Sequence, residues 1–192
     1  MAEGERALGN YEKSIELLNK CFKCDSNNIE ALGWLAYDYY MLDLSEESLI
    51  FVKKHKDRLQ ERAYLYYSSM KRIGYVYWQS GFKKEAIKWF DEQKRVSKEA
   101  LKLGRLYSID ANYDLAAVYA FLGDKTNAYK NLKEVVKIRV CPIWFLTAIK
   151  DEPLFNSIRN EPEFQKILKD FMTKYQAEHE RVRKWLEKRE ML

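Results

Sequence analysis

The sequence is poor in the residues that make turns and in the histidines that most often bind metals. It has three prolines, seven glycines and two histidines among 192 residues. A sandwich or barrel of many short strands needs frequent turn formers, so this scarcity excludes such folds. With 47% hydrophobic and 33% charged residues, the composition is that of a well-folded helical protein of about one domain.

Cysteine is scarce as well. Cys21, Cys24 and Cys141 are an odd number in a chain that does not resemble a small secreted scaffold, which favours reduced thiols and a cytoplasmic location. Cys21 and Cys24 form a solitary CxxC at the end of a predicted helix, without the second pair of a zinc site or the strand context of a redox site. We therefore expect no metal and no cofactor.

Long apolar runs and a charge of one sign are also missing. No apolar run is long enough to cross a bilayer, and the first residues lack the apolar core of a signal peptide. The net charge is +5, but Lys and Arg are interspersed with Glu and Asp along most of the chain. Because that mixture is typical of solvated helix faces, the sequence predicts no membrane contact and no nucleic-acid partner.

Motifs that carry catalysis do not occur. The chain has no glycine-rich phosphate loop, no nucleophile elbow and no helix with paired histidines. His55 and His179 are far apart in sequence, and the acidic pair Asp151 and Glu152 falls where a helix start or a turn is expected. The sequence thus predicts a protein that is not an enzyme.

What the sequence does contain is a pattern that repeats. One spacing of a large, a small and an aromatic residue occurs three times, as Leu35, Ala36 and Tyr39, as Ile73, Gly74 and Tyr77, and as Leu115, Ala116 and Tyr119. A turn position follows four residues after each Tyr, at Asp43, Gly81 and Gly123. A small and then a large residue come next, at Ser48 and Val52, Ala86 and Phe90, Ala128 and Leu132. An earlier half-copy of this second part has Gly9, Ser14 and Leu18.

This order of residues resembles the tetratricopeptide repeat, a pair of antiparallel helices of about 34 residues. The resemblance covers roughly residues 5–138 and implies an all-α, antiparallel helix-pair solenoid. Small residues let two helix backbones approach closely, large ones fill the space around the contact, and glycine can take the positive φ that ends a helix. Chance similarity among amphipathic helices is the alternative, but chance would have to reproduce all three features together.

The repeat frame divides the chain into units. We expect a half-repeat at 1–28, repeats at about 29–62, 63–106 and 107–138, and capping helices at 139–192. The distance between turns grows by about one and then two helical turns, so we expect longer helices around residues 53–62 and 92–106. The strand-like run YLYYSS at 64–69 also fits helical spacing.

The half-repeat cannot bury its own apolar face. Four apolar residues should stay partly uncovered there, namely Ile15, Leu17, Leu18 and Cys21. We therefore hypothesise that the chain is the C-terminal part of a longer protein. Residues 155–168 resemble the closing stretch after such repeats in many bacterial regulators and signalling proteins, through Phe155, Arg159, Glu161, Pro162, Phe164 and Gln165.

A C-terminal helix should cap the last repeat. Asn160 can cap its start and Pro162 suits its first turn. Its apolar face comprises Phe164, Ile167, Leu168, Phe171 and Tyr175. Beyond it, Trp185 lies either on a solvated, fraying helix end or at a contact with a partner or a second copy.

In the geometry that the resemblance implies, the first helix of each pair lines a concave groove. The inner positions are rich in aromatic residues, which are favoured at binding hot spots. The expected peptide-binding groove consists of Tyr37, Tyr40, Lys71, Tyr75, Trp78, Gln79, Tyr113 and Phe121. The alternative is that the longer helices close the groove and these aromatics are core. The family's carboxylate clamp is not expected, since only Lys71 matches it.

The sequence therefore predicts an interaction module whose partner is a protein or a peptide. The second hypothesis is a structural role, in which the half-repeat and the helix with Trp185 pair two chains as a homodimer.

Overall fold

The computed structural model describes residues 1–61, 70–104, 108–137, 143–189 and 191. Within these ranges the chain is all helical: α1 (Ala2–Ala7), α2 (Tyr11–Cys24), α3 (Ile29–Met41), α4 (Ser45–Glu61), α5 (Met70–Gln79), α6 (Lys83–Lys102), α7 (Ser108–Phe121), α8 (Lys125–Val136), α9 (Ile143–Asp151), a 3₁₀ turn (Pro153–Phe155) and α10 (Pro162–Glu187). Consecutive helices pack against each other as pairs. The predicted all-α, helix-pair solenoid is confirmed.

The four predicted turn positions join the two helices of each pair. Their φ angles are all positive, at 83° for Gly9, 58° for Asp43, 86° for Gly81 and 86° for Gly123. The next residue donates its N–H to a carbonyl five residues earlier, at 2.8–2.9 Å in all four turns. This bond is the Schellman ending of a helix, which glycine adopts without strain and which Asp tolerates better than most residues.

Small residues lie where the paired helices touch. A Cβ atom at Gly74 would come within 2.7 Å of the Phe90 ring, while Ala86 and Ala128 are fully buried. The Ser48 hydroxyl is buried too, and it donates to the carbonyl of Ala36 at 2.8 Å. The column of small residues thus sets the close approach of the backbones.

Two helices are longer than the repeat frame requires. α4 has 17 residues and α6 has 20, so the extra turns lengthen helices, as predicted for residues 53–61 and 92–102. The run at 64–69 lies outside the described residues. Each helix pair falls within the range assigned to its unit, and the division into units stays a prediction.

The C-terminal part of the chain packs back onto the solenoid. α9 contacts α1, the 3₁₀ turn contacts α7, and α10 packs on α8 and α9. Three residues of α10 are buried, as expected for a capping helix, namely Phe164, Ile167 and Phe171. Pro162 is in its first turn, but the residue at the cap is Glu161 and not Asn160, because the helix begins directly at the proline.

Candidate functional site

The concave side of the solenoid is filled by the chain itself. Thr147 on α9 donates a hydrogen bond to the carbonyl of Ala7 at 3.1 Å, and the hydroxyl oxygen of Tyr113 on α7 lies 3.3 Å from the carbonyl oxygen of Ala148. The Phe145 ring lies 5.2 Å from the ring of Tyr113. Residues 143–155, which we call the filler segment, therefore reach from the first helix pair to the last.

Four of the eight expected groove residues are core residues in this structure. The exposed fraction is 1% for Tyr40, 0% for Lys71, 2% for Tyr75 and 6% for Tyr113. The expectation that they line an open groove needs correction, because the filler segment covers Tyr40 and Tyr113 and a neighbouring turn covers Tyr75. These four residues fit the alternative expectation, in which the groove is closed and its residues are core. The filler segment closes the groove, whereas the expectation assigned that role to the longer repeat helices.

A polar network lies under the filler segment. The Lys71 ammonium is 2.7 Å from Asp114 and 3.8 Å from Glu152. Both Tyr40 and Tyr113 donate their hydroxyl hydrogens to the Glu152 carboxyl, the latter at 2.6 Å. Burial raises the pKa of Glu152 and lowers the pKa of Lys71. Glu152 thus places a carboxyl group of the chain itself beside Lys71.

The amide of Gln93 completes this network. It accepts a bond from the Lys71 backbone N–H at 3.1 Å and donates to Asp114 at 3.1 Å and to Ser97 at 3.0 Å. Sequence reasoning missed Gln93, Asp114 and Glu152. The available signal was a polar residue on the otherwise apolar face of a predicted helix.

A second buried network holds the short helix α1. Arg6 pairs with Asp38 at 2.7 Å, and Ser14 donates to the same carboxylate at 2.5 Å. The Arg6 guanidinium lies 4.0 Å from the ring centre of Trp34. Among the residues expected to stay uncovered in the half-repeat, Leu18 is buried, Ile15 and Leu17 are partly exposed, and Cys21 is exposed. The expectation for Leu18 was wrong, because α3 covers it.

The other four expected groove residues remain accessible. Tyr37, Trp78 and Phe121 are partly exposed and Gln79 is exposed. The Trp78 ring contacts the Phe121 ring edge to face at 5.5 Å. Tyr75 connects this region to the Asp43 turn, since its hydroxyl donates to Asp43 at 2.5 Å and accepts from Gln79 at 3.0 Å.

Exposed apolar residues flank the same turns. The exposed fraction is 41% for Leu44, 46% for Phe82 and 38% for Leu122, and each lies one residue from a predicted turn position. Because the three turns join first to second helices, they lie along one edge of the solenoid. We call Leu44, Trp78, Phe82, Phe121 and Leu122 the turn-edge patch. Sequence reasoning found two of its five members and missed those beside the turns.

A comparison with known families identifies part of the chain. The family model of the tetratricopeptide repeat matches residues 109–139, a range that includes nearly all of α7 and all of α8. The chain contains a tetratricopeptide repeat. Its helix-pair architecture agrees with the resemblance found in the sequence.

Two solved structures are similar to this chain over most of their length. One is the crystal structure of MamA, at 20% sequence identity, with 94% of this chain and 97% of that chain covered and a TM-score of 0.45. The other is a kinesin light chain from Podosopora anserina with nearly identical TPR-like repeats, at 16% identity, 94% and 93% coverage and a TM-score of 0.48. No curated protein matches the chain in sequence.

The described part of the chain shows no group of three or more His, Cys, Asp or Glu side chains that could hold a metal. Cys21 and Cys24 are free and exposed, and Cys141 lies outside the described residues. His55 packs against Gly33, and the His179 ring lies 5.9 Å from the ring of Tyr175. In the same ranges, no helix is long and apolar enough to span a bilayer.

Proposed function

We propose that the protein is a protein- or peptide-binding module rather than an enzyme, and that it holds its partner at the turn-edge patch. The observation that carries this proposal is the pair of Trp78 and Phe121, two aromatic rings that are partly exposed beside further exposed apolar residues. Partly exposed aromatic rings are enriched at interaction sites on soluble proteins.

Buried side chains under the patch fix the position of the Phe121 ring. Phe121 contacts Tyr75 at 5.4 Å and Phe90 at 5.3 Å, and both of these residues are buried. A ring fixed in this way loses little conformational freedom when a partner covers it, which favours binding. The Lys83 ammonium lies 5.2 Å from the Trp78 ring. We therefore expect a partner segment that presents an apolar side chain to Trp78.

Of the expected groove residues, Trp78 and Phe121 belong to the proposed binding surface, and Gln79 follows Trp78 in the sequence. The buried Tyr75 supports this surface through its contact with Phe121. The proposed site thus lies at the edge of the solenoid and not in the concave groove.

A photo-crosslinking experiment tests the proposal. A benzophenone amino acid is introduced at the exposed position Gln79, with a control at the exposed position Lys169 on α10. Cross-linked proteins are identified by mass spectrometry, and the affinity of a purified partner is then measured. Trp78→Ala should weaken binding by more than about 2 kcal/mol without loss of helicity, as for a hot-spot residue. Equal cross-linking at both positions, or an unchanged affinity, would refute the proposed site.

A second candidate function is self-association through α10. The apolar stripe of this helix is buried at Phe164 and Phe171 and then continues past the solenoid, where Val182 is 44% and Trp185 is 46% exposed. The partly exposed face of the half-repeat is the other surface that a second copy could cover. A molar mass measurement by light scattering at micromolar concentration decides this candidate, because a monomer would exclude it.

The closing stretch supports a role in a larger bacterial regulator or signalling protein. Its residues form a compact unit: Phe155 and Phe164 are buried against each other at 5.5 Å, and Arg159 donates to the carbonyl of Glu152 at 2.6 Å. The resemblance of this stretch to the ends of repeat regions in such regulators is what supports the proposal.

A further inference from the structure

A small cleft between α3, α4 and α5 contains a guanidinium that has no hydrogen-bond acceptor among the described residues. The cleft has a volume of about 30 Å³, and its lining includes Tyr37, Ser48, His55 and Arg72. A cavity of this size admits one or two water molecules or one small polar group. It is separate from the turn-edge patch.

Arg72 is the unusual residue of the cleft. Its Nε is buried and has no hydrogen-bond partner, and no carboxylate of the described residues forms an ion pair with its guanidinium. The group is held in place by the Tyr37 ring, whose centre lies 4.1 Å away. A buried donor without an acceptor destabilises a fold, so an acceptor from outside the chain would be bound favourably here.

The acidic residues around Arg72 do not supply this acceptor. Asp38 is held by Arg6 and Ser14, and Asp114 is held by Lys71 and Gln93. Asp110 is half-buried and lies within electrostatic range, since Arg72 lowers its pKa while burial, the larger effect, raises it.

His55 provides a second polar group in the cleft. Its ring packs directly on Gly33, where a Cβ atom would come within 2.9 Å of Nε2. Burial lowers the pKa of His55 and so favours the neutral imidazole, which can donate one hydrogen bond. A larger residue at position 33 would close the cleft.

We propose that this cleft binds a carboxylate, with Arg72 as the charged donor and His55 as a second donor. The proposal rests on the proposed binding function for the source of the carboxylate, which is an acidic side chain or a chain end of the partner. The shape of the site supports a carboxylate over a phosphate, because the small volume suits a planar group that a guanidinium binds with two parallel bonds.

Acetate is the probe that tests the proposal, and it requires no knowledge of the partner. The full chain is labelled with ¹⁵N, and the Nε–H signals of arginine are recorded during titration with sodium acetate or with sodium chloride of equal ionic strength. The Arg72 signal should shift saturably with acetate only, and the pKa of His55 should rise when the site is occupied. Failure of the partner experiment at Trp78 would leave this result unaffected, so the two proposals can be separated.

Two variants show whether Arg72 is required for acetate binding, and two further ligands identify the source of the carboxylate. Arg72→Gln should abolish the response of His55 to acetate, whereas the exposed Arg95→Gln should retain it. N-acetylglycine represents a chain end and the N-methylamide of N-acetylglutamate represents an acidic side chain, so the tighter of the two identifies the source.

Three results would overturn the proposal. The first is a shift of the Arg72 signal that is linear and equal in acetate and chloride. The second is saturation by inorganic phosphate as strong as that by acetate. The third is a saturable acetate shift of the Arg72 signal that appears in Asp110→Asn and is absent in the wild type, which would show that Asp110 holds the guanidinium in solution.

Discussion

At the scale of single residues, the buried charges explain why the groove aromatics are core. Lys71 is completely buried, and a buried ammonium needs an anion close by. Asp114 on α7 supplies it at 2.7 Å, and the Glu152 carboxyl of the filler segment lies 3.8 Å from the same ammonium. An open groove would expose these groups to water, so the closed arrangement and the network depend on each other.

Glu152 should make the stability depend on pH. The pKa of this carboxyl is raised from 4.5 to about 8 by burial, so between these values the native chain binds a proton that the unfolded chain releases. The free energy of unfolding should therefore fall as the pH rises from about 5 to about 8. Lys71, with its lowered pKa, affects stability only above that window.

The variant Glu152→Gln keeps the shape of the side chain and removes its ionisation. We expect urea unfolding midpoints of this variant to vary less between pH 5 and pH 8 than those of the wild type. A wild-type midpoint that is constant or rises over this range would contradict the assignment of a raised pKa.

At the scale of helices, local chemistry predicted the repeats well. Gly81 and Gly123 mark turns because their φ angles suit glycine, and the small residues recur because two backbones must approach closely there. The position of α9 could not be predicted in this way. Its residues are apolar without a clear period, and its partners lie far away in the sequence, as the bond between Thr147 and Ala7 shows.

The alignment of the small-residue column can be tested by overpacking. Ala86 is fully buried at a helix contact, so Ala86→Leu should lower the free energy of unfolding by about 1–3 kcal/mol. The matched control is Ala177→Leu at an exposed position of α10, where we expect almost no change. Equal unfolding midpoints for both variants in urea would show that the column does not lie at the contact.

At the scale of the whole molecule, the filler segment closes the solenoid, and the proposed partner site therefore lies outside the groove. Leu154 and Phe155 are fully buried and Phe145 and Ile149 nearly so. A segment with this burial cannot leave without exposing the core of the last helix pairs. The filler segment should therefore unfold together with α7 and not as a separate lid.

Native-state hydrogen exchange of the α9 amides, read out by NMR, tests this statement most directly. We expect the slowest amides of α9 to exchange with the same opening free energy as those of α7, and with the same dependence on added urea, because both require global unfolding. Exchange of α9 that is at least about a hundredfold faster, equivalent to about 2.7 kcal/mol, and insensitive to urea would mean that the segment opens on its own. The concave groove would then be available to a partner, and the account would be contradicted.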